Sequence, residues 1–357
     1  MGHLILAINP GSTSTKIAVF ESRKQLFVTT LRHSAQELAL FYSISEQFEF
    51  RKDTILKTLK DNEIELSSIE MIVGRGGLIK PIKAGVYEVN EQMITDLQVG
   101  VGGEHASNLG GLIAHSIAKE IKGCRAFIAD PVVVDELEPI ARITGHPLFE
   151  RRSIFHALNQ RAIAKSYATS LNVPYESLNL IVAHLGGGVS VGAHSKGRVI
   201  DVNNALNGEG PFSPERSGTL PAYDLAKLCF SGDYTLEDVK KMITGEGGLV
   251  AHLGTNSFSI VEKMVSEGDH KFILISEAFA YNVAKAIGAM AVVHKGEVDA
   301  ILITGGIAYN TRLMESISEQ IKFIAPVKIF PGEDEMSALA WNGLAVLEGK
   351  EVPLVYV

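Results

Sequence analysis

The sequence predicts an α/β fold made of two related halves, each with a mixed β-sheet. The chain has 357 residues, which is more than one hydrophobic core usually organises and suits two domains. Apolar strands alternate with helical segments along the chain, as is typical of α/β proteins. Two segments, 4–20 and 180–193, share one pattern of an apolar strand, a turn of small residues and a second strand. This repeat indicates two halves that face each other across a cleft.

The composition points to a soluble protein and away from nucleic acid. The chain has 33 basic and 41 acidic residues, a formal net charge of −8, and no basic block. Cys124 and Cys229 are the only cysteines and have neither CxxC nor metal-ligand spacing. The first residues enter a strand without the features of a signal peptide, and the longest apolar run, 286–293, is too short to span a membrane. We therefore expect a cytoplasmic protein without a membrane or nucleic acid partner.

The hairpin at 4–20 is the first predicted element of the first half. Its turn reads Asn-Pro-Gly-Ser, and its second strand alternates apolar and polar residues. A third strand is expected near 25–31. Hydrophobic periodicity and turn residues then predict helices over 35–45, 54–61, 91–99 and 108–122, and short buried strands over 71–73 and 125–129.

The second half is predicted to begin with a long amphipathic helix over 153–171, with Ser153 as its N-cap. The second copy of the hairpin follows. The stretch 203–221 is rich in Gly, Pro and Ser and has no periodicity, and irregular segments of this length are usually functional. The remaining patterns predict helices over 222–230, 236–244, 272–294 and 336–347, and a buried strand over 299–303.

The first hairpin turn has the composition of an anion site. Asn9, Gly11, Ser12, Ser14 and Lys16 offer amide, backbone N–H, hydroxyl and ammonium groups that bind phosphates. The pattern GxxxxGK[ST] is absent from the sequence, so this turn is not a Walker A loop. An ordinary polar hairpin is the alternative interpretation, because Ser, Thr and Gly fill many turns.

Two further glycine turns follow buried strands. Three consecutive glycines end the first strand of the second hairpin, and such a run wastes conformational entropy unless another group must come close. The histidine just before them is either a ligand contact or a satisfied turn residue. A Gly-Gly pair after the strand at 299–303 forms a third turn of the same type. The candidate phosphate and adenosine contacts in these turns are His184, Gly186, Gly187, Gly188, Gly305, Gly306 and Ile307.

Two arginines in glycine-flanked loops are candidate cations for an anionic substrate. Arg75 lies in Gly-Arg-Gly-Gly and Arg216 in Glu-Arg-Ser-Gly. The planar guanidinium group suits a carboxylate or a transferring phosphoryl group. The alternative is a surface salt bridge, which is the usual role of an arginine. His156 lies near the start of a predicted helix, where the backbone dipole favours negative charge.

Acidic residues are candidates for binding a metal ion. Asp130 ends a predicted strand just before Pro131, where a carboxylate can reach a ligand or stabilise a turn. Glu335 lies in an acidic run at a predicted helix start, where Glu333 and Asp334 are rival candidates. Simple complementarity to the helix dipole is the alternative for this run. Mg²⁺ is usually held by one or two carboxylates together with phosphates and waters.

Together these motifs resemble the acetokinase family, within the superfamily of acetate and sugar kinases, Hsp70 and actin. The resemblance covers almost the whole chain. It implies two duplicated RNase H-like domains of the actin-like ATPase type, with mixed sheets and a central nucleotide cleft. The first domain is expected over 1–152 with a C-terminal helix at about 335–357, and the second over 153–334. The segments that carry the resemblance are 9–16, Arg75, His105, Asp130, 152–156, 184–188, 215–218 and 305–306.

The resemblance also implies phosphoryl transfer between ATP and a short-chain carboxylate, with Mg²⁺ as the metal and a homodimer or larger assembly. Butyrate or a branched acid is the expected acceptor, and acetate or propionate is the alternative. A nucleotide-binding regulator or ATPase of the same fold is the alternative from a different class. The implied roles are catalysis by Arg75, Arg216, His156 and Asp130, acceptor binding by Arg75, His105 and Arg216, and metal binding by Asp130 and Glu335.

Overall fold

The structure is a computed structural model that describes residues 2–357. The chain forms two compact units, Met1–Val134 with Asp334–Val357 and Asp135–Glu333. The units divide earlier than the predicted boundary after residue 152. The reason is that 135–152 bonds to the second unit: the Glu138 N–H donates to the Ile200 carbonyl at 2.9 Å, and Arg151 donates to Asp201 Oδ1 at 2.9 Å.

The strands of each unit form one mixed sheet, as the sequence predicts. Within residues 2–357 the strands are β1 (Leu4–Pro10), β2 (Ser14–Glu21), β3 (Lys24–Arg32), β4 (Met71–Arg75), β5 (Val86–Glu88), β6 (Arg125–Ala129), β7 (Asn179–Leu185), β8 (Val189–Ser195), β9 (Arg198–Val202), β10 (Ala300–Gly305) and β11 (Val327–Pro331). The strand order is β3-β2-β1-β4-β6-β5 in the first sheet and β9-β8-β7-β10-β11 in the second.

The two sheets repeat one arrangement of five strands. In each sheet three antiparallel strands are followed by two strands parallel to the first of them, so β1, β4 and β6 correspond to β7, β10 and β11. The carboxyl ends of parallel strands lie at the same edge of a sheet, which is where ligands bind in open α/β sheets. Each unit therefore has one edge on which the predicted motifs gather.

The helices cover these sheets. Their bounds are α1 (Ala35–Leu38), α2 (Phe48–Asp61), α3 (Glu91–Val99), α4 (Asn108–Lys119), α5 (Pro139–Arg142), α6 (Ala157–Ser170), α7 (Ala222–Cys229), α8 (Leu236–Thr244), α9 (Gly248–Leu253), α10 (Phe258–Ser266), α11 (His270–Val293), α12 (Thr311–Ile321) and α13 (Glu335–Leu347). In the first unit, α4 and α13 both pack on β1, β4 and β6. In the second, α11 packs on β7, β8 and β9.

Several helix predictions differ from the structure at their ends. The helix predicted over 153–171 begins at Ala157, with His156 rather than Ser153 at the N-cap position. The preceding segment stays irregular because its backbone bonds to a neighbouring loop, for example from the Ala205 N–H to the Ile154 carbonyl at 2.8 Å. The helix predicted over 35–45 is the single turn α1, closed by a capping box between Ser34 and Glu37.

Some elements were not predicted, whereas one predicted irregular segment is confirmed. The short strands β5, β9 and β11 and the helices α5, α9, α10 and α12 were not predicted from the sequence. The helix α2 begins at Phe48, earlier than the predicted start at 54. The stretch 203–221 contains neither helix nor strand, as predicted.

The helix α11 is long and apolar enough to cross a membrane by length and composition alone. In the second unit, however, it lies on the sheet, and Phe279, Val283 and Ile287 on one of its faces are fully buried in the core. One face of this helix is thus part of the core of the second unit, and a single helix of this composition is weak evidence for a membrane span.

His194 on β8 is a fully buried histidine in the core of the second unit. Its Nδ1 lies 2.7 Å from the Tyr175 hydroxyl, and its Nε2 lies 2.9 Å from Gln160 Oε1. Burial holds the pKa of His194 well below the usual 6.5, and the nearby Arg161 and His294 lower this pKa further. The folded protein therefore keeps this imidazole neutral.

We predict that His194 makes the protein less stable in mild acid. Below pH 6.5, the usual pKa of histidine, the unfolded chain binds a proton at this residue and the folded chain does not. The free energy of unfolding therefore falls as the pH decreases, by up to about 1.4 kcal/mol per pH unit from this residue. Urea unfolding of wild type and His194→Gln between about pH 7.5 and 5 measures the effect.

The variant should have a flatter pH dependence than wild type. The matched control is His252→Gln, which replaces an exposed histidine of the same unit and should keep the wild-type slope. Parallel pH curves for wild type and His194→Gln would contradict the assignment.

Candidate functional site

The turn between β1 and β2 is held from beneath by a buried arginine. The Gly11 N–H donates to the Ser14 carbonyl at 2.7 Å and closes the turn. Arg51, which is 0% exposed, donates to the carbonyls of Gly11 at 2.8 Å and Ser14 at 3.1 Å. It also donates to the Ser12 carbonyl at 3.1 Å. Carbonyl oxygens that would repel an anion are thus turned towards a guanidinium group.

Arg51 has no carboxylate partner among residues 2–357. Its remaining bonds go to the Thr15 hydroxyl at 3.1 Å and to Gln47 Oε1 at 2.8 Å. Burial lowers the pKa of Arg51, and an uncompensated buried charge costs free energy. A positive charge in this position favours an anion at the turn. The sequence analysis missed this residue, although it occupies a core position on α2 with Ile55 and Leu59.

Three predicted residues of the first unit meet at the edge of its sheet. Arg75 Nη1 at the end of β4 lies 3.1 Å from Glu335 Oε2 and 3.3 Å from Asn9 Oδ1. The Asn9 amide nitrogen donates to the same Glu335 oxygen at 2.5 Å. Lys16 is paired with Asn9 across β1 and β2. This edge therefore combines a guanidinium, an amide, an ammonium group and a carboxylate.

A close contact between glycines fixes the backbone of Arg75. A Cβ atom on Gly74 would overlap the backbone carbonyl of Gly110, and one on Gly110 would overlap the carbonyl of Arg75. The helix α4 therefore lies directly against the end of β4. Neither position accepts a side chain without moving the strand that carries Arg75.

The three acidic candidates at 333–335 have different partners in the structure. Glu333, in the second unit, lies 3.2 Å from His184 Nε2. Asp334 accepts from the Ser337 N–H at 3.1 Å and caps α13. Glu335 is the acid that joins Asn9 and Arg75. No hydrogen-bond partner occurs for Glu335 Oε1 within residues 2–357, so this oxygen suits a metal ligand.

His105 and Asp130 lie in loops of the first unit. His105 is exposed in the turn before α4, with its Nδ1 2.8 Å from the Ser107 hydroxyl. Asp130 follows β6, has a positive φ of 37° and is 2% exposed. Its Oδ1 accepts from the Gly85 N–H at 2.8 Å, and its own N–H donates to the Gly85 carbonyl at 3.0 Å. This pair of bonds joins the end of β6 to the segment before β5. The catalytic roles of His105 and Asp130 remain predictions.

Two imidazole rings stack beside the second glycine turn. His184 at the end of β7 is 1% exposed, and its Nδ1 lies 2.9 Å from Asn159 Oδ1. Its ring is stacked on His156, with centroids 3.8 Å apart and planes 13° from parallel. His156 stands at the N-terminus of α6, where the backbone dipole favours an anion. Sequence reasoning found both histidines but missed Asn159.

The third glycine of this turn makes room for Arg216. A Cβ atom on Gly188 would overlap the Arg216 guanidinium, whereas one on Gly187 would meet nothing within 4 Å. Arg216 Nη1 donates to the Ala205 carbonyl at 2.5 Å, and burial lowers its pKa. No carboxylate lies within ion-pair distance of Arg216 in the described part of the chain. Its charge is therefore available to an anion.

The third turn packs directly on the second. Gly305 has a φ of 100°, and a Cβ atom there would overlap the backbone of Leu185. The side chain of Ile307 belongs to the core, so any contact of this residue with a nucleotide would come from its backbone. Further along the chain, Asn310 and the helices α10, α11 and α12 line a cavity of about 350 Å³. Its polar lining includes Glu262, Ser276, Glu277, Asn310 and Arg312.

Comparison with known proteins identifies the family of the chain. The model of the acetokinase family matches residues 140–330. Butyrate kinase 2 of Clostridium acetobutylicum is 59% identical over 347 residues, covering 97% of both chains. The chain belongs to the acetokinase family. Butyrate kinase 1 of the same organism is 57% identical over 347 residues, covering 97% of this chain and 98% of the relative.

A solved acetokinase structure has the same fold. The acetate kinase of Porphyromonas gingivalis superposes with a TM-score of 0.80 at 18% identity, covering 97% of this chain and 100% of the other. The predicted family and its α/β fold are thus confirmed. The predicted class of enzyme, a kinase of short-chain carboxylates, is confirmed with them.

We predict that Arg51 supports nucleotide binding by this acetokinase. Replacing Arg51 with Met removes the charge beneath the first turn and leaves its carbonyls unpaired, which should weaken ADP binding about tenfold. Titration calorimetry with Mg-ADP measures the change. Arg51→Lys keeps the charge and should recover part of the affinity.

The matched control for this test is Arg161→Met. Arg161 is also a buried arginine that donates to a backbone carbonyl, that of Gly197 at 2.9 Å, but no predicted phosphate contact adjoins that bond. Equal losses of ADP affinity in both methionine variants would show a general loss of stability instead of a role at the turn.

We predict that Gly188→Ala impairs the acetokinase more than Gly187→Ala. The Cβ atom at 188 must displace the Arg216 guanidinium, and a displacement of about 1 Å can cost about a hundredfold in rate. The Cβ atom at 187 enters open space, so the free turn keeps its shape. The measurement is kcat/KM for ADP formation, and similar losses in both variants would contradict the steric argument.

Proposed function

We propose that the protein transfers a phosphoryl group between ATP and butyrate or a branched acid such as isobutyrate. The structural observation that carries this proposal is Arg216, a guanidinium held beside a glycine turn without a carboxylate partner in the described residues. Arg75 provides a second guanidinium at the edge of the first sheet. The choice of acceptor rests on the butyrate kinases that are more than half identical to the chain.

The chemistry of this reaction fits such a set of residues. A carboxylic acid is ionised at neutral pH, so the acceptor needs no general base. The difficulty is to bring a carboxylate to a triphosphate, because both are anions. Catalysis must then come from cations, oriented N–H groups and in-line positioning. We assign the acceptor carboxylate and the transferred phosphoryl group to Arg75, Arg216 and His156, with His105 beside the acceptor.

We assign the nucleotide phosphates to the first and second turns and the adenosine to the third. The first turn offers Asn9, Ser12 and Lys16 above the charge of Arg51. The second offers backbone N–H groups without Cβ atoms. The cavity beside Arg312 is reached in this part of the chain at Asn310, four residues after Gly306, and it has both polar and apolar walls, which suits a nucleoside.

The residues at the first edge fit a magnesium ion. Among residues 2–357, Glu335 Oε1 has no hydrogen-bond partner, and Mg²⁺ needs only one or two carboxylates when phosphates and waters complete its shell. Asp130 is the second proposed ligand. A bound Mg²⁺ supplies positive charge that neutralises the nucleotide phosphates. Within residues 2–357 no group of three acidic, histidine or cysteine side chains could hold a metal ion by itself.

The preferred acceptor is harder to assign than the class of reaction. An apolar pocket distinguishes acids that differ by one methylene by only about 1–3 kcal/mol, so activity on acetate or propionate should overlap with activity on butyrate. Acyl phosphates are strong phosphoryl donors, so the reaction can also run towards ATP synthesis. A regulator or simple ATPase of this fold would use the glycine turns but would not need Arg75, His156 and Arg216 together.

We also propose a cytoplasmic homodimer. Cys124 and Cys229 are free thiols, and burial raises the pKa of Cys124 to about 11, as suits an unreactive thiol in a reducing compartment. Tyr223, Phe230 and Leu236 around α7 and α8 are exposed and provide an apolar surface that a second copy would cover.

The proposal is tested by trapping the product. The purified protein is supplied with Mg-ATP, hydroxylamine and one acid from a series running from acetate to isovalerate, and the acyl hydroxamate is measured. We expect the highest kcat/KM for butyrate or a branched acid. A flat profile would contradict the butyrate assignment, and ADP release that does not depend on any acid would instead indicate an ATPase.

The variant Arg216→Ala tests the catalytic role given to this arginine. Loss of this cation should cost about 2–4 kcal/mol of transition-state stabilisation, by analogy with the loss of an oxyanion donor. Near-normal turnover in this variant would contradict the role given to Arg216.

A further inference from the structure

A continuous chain of hydrogen bonds runs through the second unit and ends at His156. From the Tyr175 hydroxyl it passes to His194 Nδ1 at 2.7 Å and from His194 Nε2 to Gln160 Oε1 at 2.9 Å. From Gln160 Nε2 it continues to the Ser190 hydroxyl at 2.8 Å, and from there to His156 Nδ1 at 2.8 Å. Gln160, Ser190 and His194 are each 0% exposed, so water does not compete for these bonds.

The backbone carbonyl of Ser190 fixes the direction of this chain. A carbonyl oxygen can only accept a hydrogen bond, and Gln160 Nε2 lies 3.1 Å from it, so this end of the Gln160 amide must be the NH₂ group. The amide oxygen therefore faces His194 and accepts from its Nε2–H. His194 Nδ1 then accepts from the Tyr175 hydroxyl. The lowered pKa of His194 agrees with this neutral imidazole.

The same reasoning places the proton of His156. The Ser190 oxygen already accepts from Gln160 Nε2, and the backbone N–H of His156 also points to it at 3.4 Å. In the described part of the chain, the only acceptor within reach of the Ser190 hydroxyl proton is His156 Nδ1. His156 Nδ1 is therefore an acceptor, and the neutral imidazole carries its proton on Nε2.

We propose that Ser190 and Gln160 are positioning residues that hold His156 in the Nε2–H tautomer. His156 then presents a hydrogen-bond donor, rather than a lone pair, to an oxygen of the transferring phosphoryl group. A lone pair at Nε2 would repel that oxygen, whereas a donor stabilises the charge on it. The last step rests on the proposed function, but the tautomer itself does not.

The position of Ser190 explains why one hairpin serves two purposes. Ser190 lies on β8, paired with His184 on β7, immediately after the glycine turn. The ring of His156 is stacked on His184, which fixes the plane of the imidazole, while Ser190 fixes its proton. The hairpin that forms the second turn thus also sets the orientation and the tautomer of the neighbouring histidine.

The tautomer can be observed directly in the full chain without substrates. Long-range ¹H–¹⁵N correlation spectra of ¹⁵N-histidine-labelled protein at neutral pH distinguish the two neutral tautomers and the imidazolium form, and His156→Gln and His194→Gln assign the signals. We expect Nε2–H imidazoles at both positions. A predominant Nδ1–H form or imidazolium at His156 would overturn the proposal.

Variants separate a positioning role from a structural one. Ser190→Ala removes the donor to Nδ1, so His156 should become a mixture of tautomers and kcat should fall about tenfold, with little change in KM for ATP. Ser190→Thr keeps the hydroxyl and should restore both the spectrum and the rate. Gln160→Met should also disturb the His156 tautomer, because the Ser190 oxygen loses its donor.

The matched control is Tyr175→Phe, which removes a buried hydroxyl at the far end of the chain. The Ser190 carbonyl still orients Gln160 in this variant, so the His156 spectrum and kcat should match wild type. Equal losses of kcat in Tyr175→Phe and Ser190→Ala, with unchanged His156 spectra, would overturn the proposal in favour of a purely structural role.

The spectroscopic readout also separates this inference from the proposed function. An Nε2–H signal at His156 that Ser190→Ala abolishes would support the positioning role, even if the protein failed to phosphorylate any carboxylate. That failure would contradict only the proposed reaction.

Discussion

The candidate site depends on two guanidinium groups that have no carboxylate partner in the described residues. Arg51 is fully buried, and Arg216 is partly buried. Both pair with backbone carbonyls, which carry only partial negative charge, so their positive charge is not neutralised by the protein. An enzyme that must bring two anions together gains from this arrangement, because the substrates complete the electrostatic balance. Gly188 leaves room for the Arg216 guanidinium, and the Gly11 carbonyl accepts from Arg51, so each charge lies beside a glycine of a turn.

The two units share one strand arrangement, but different residues shape the turn at the edge of each sheet. In the first unit the turn after β1 is shaped by a long side chain reaching from α2, and the edge of the sheet carries a network of Asn9, Arg75 and Glu335. In the second unit glycines remove the side chains, and a stacked pair of imidazoles adjoins the turn. The repeated order of strands supplies the same edge twice, while the residues at each edge are specialised.

The sequence predicts local features well and long-range partners poorly. The strands and glycine turns that were predicted are read from neighbouring residues and agree with the structure, whereas the roles of the arginines that flank the turns stay predictions. The predicted start of α6 is wrong because the backbone before the helix is hydrogen-bonded to a distant loop. Arg51 and Gln160 were missed because their roles depend on contacts 40 and 30 residues away, and nothing next to them in the sequence marks those contacts. Among the acids at 333–335, only three-dimensional contacts separate the three candidates.

The bond between Asn9 and Glu335 joins residues 326 positions apart, and this has a consequence for synthesis on the ribosome. The second unit is a continuous segment and can fold while translation continues. The first unit lacks α13, which packs on β1, β4 and β6, until residues 335–347 emerge. At about 5–20 residues per second, β1 waits roughly 15–65 seconds for this helix. Until then its apolar strands lack that cover, so the nascent first unit exposes apolar surface while the second unit can already fold.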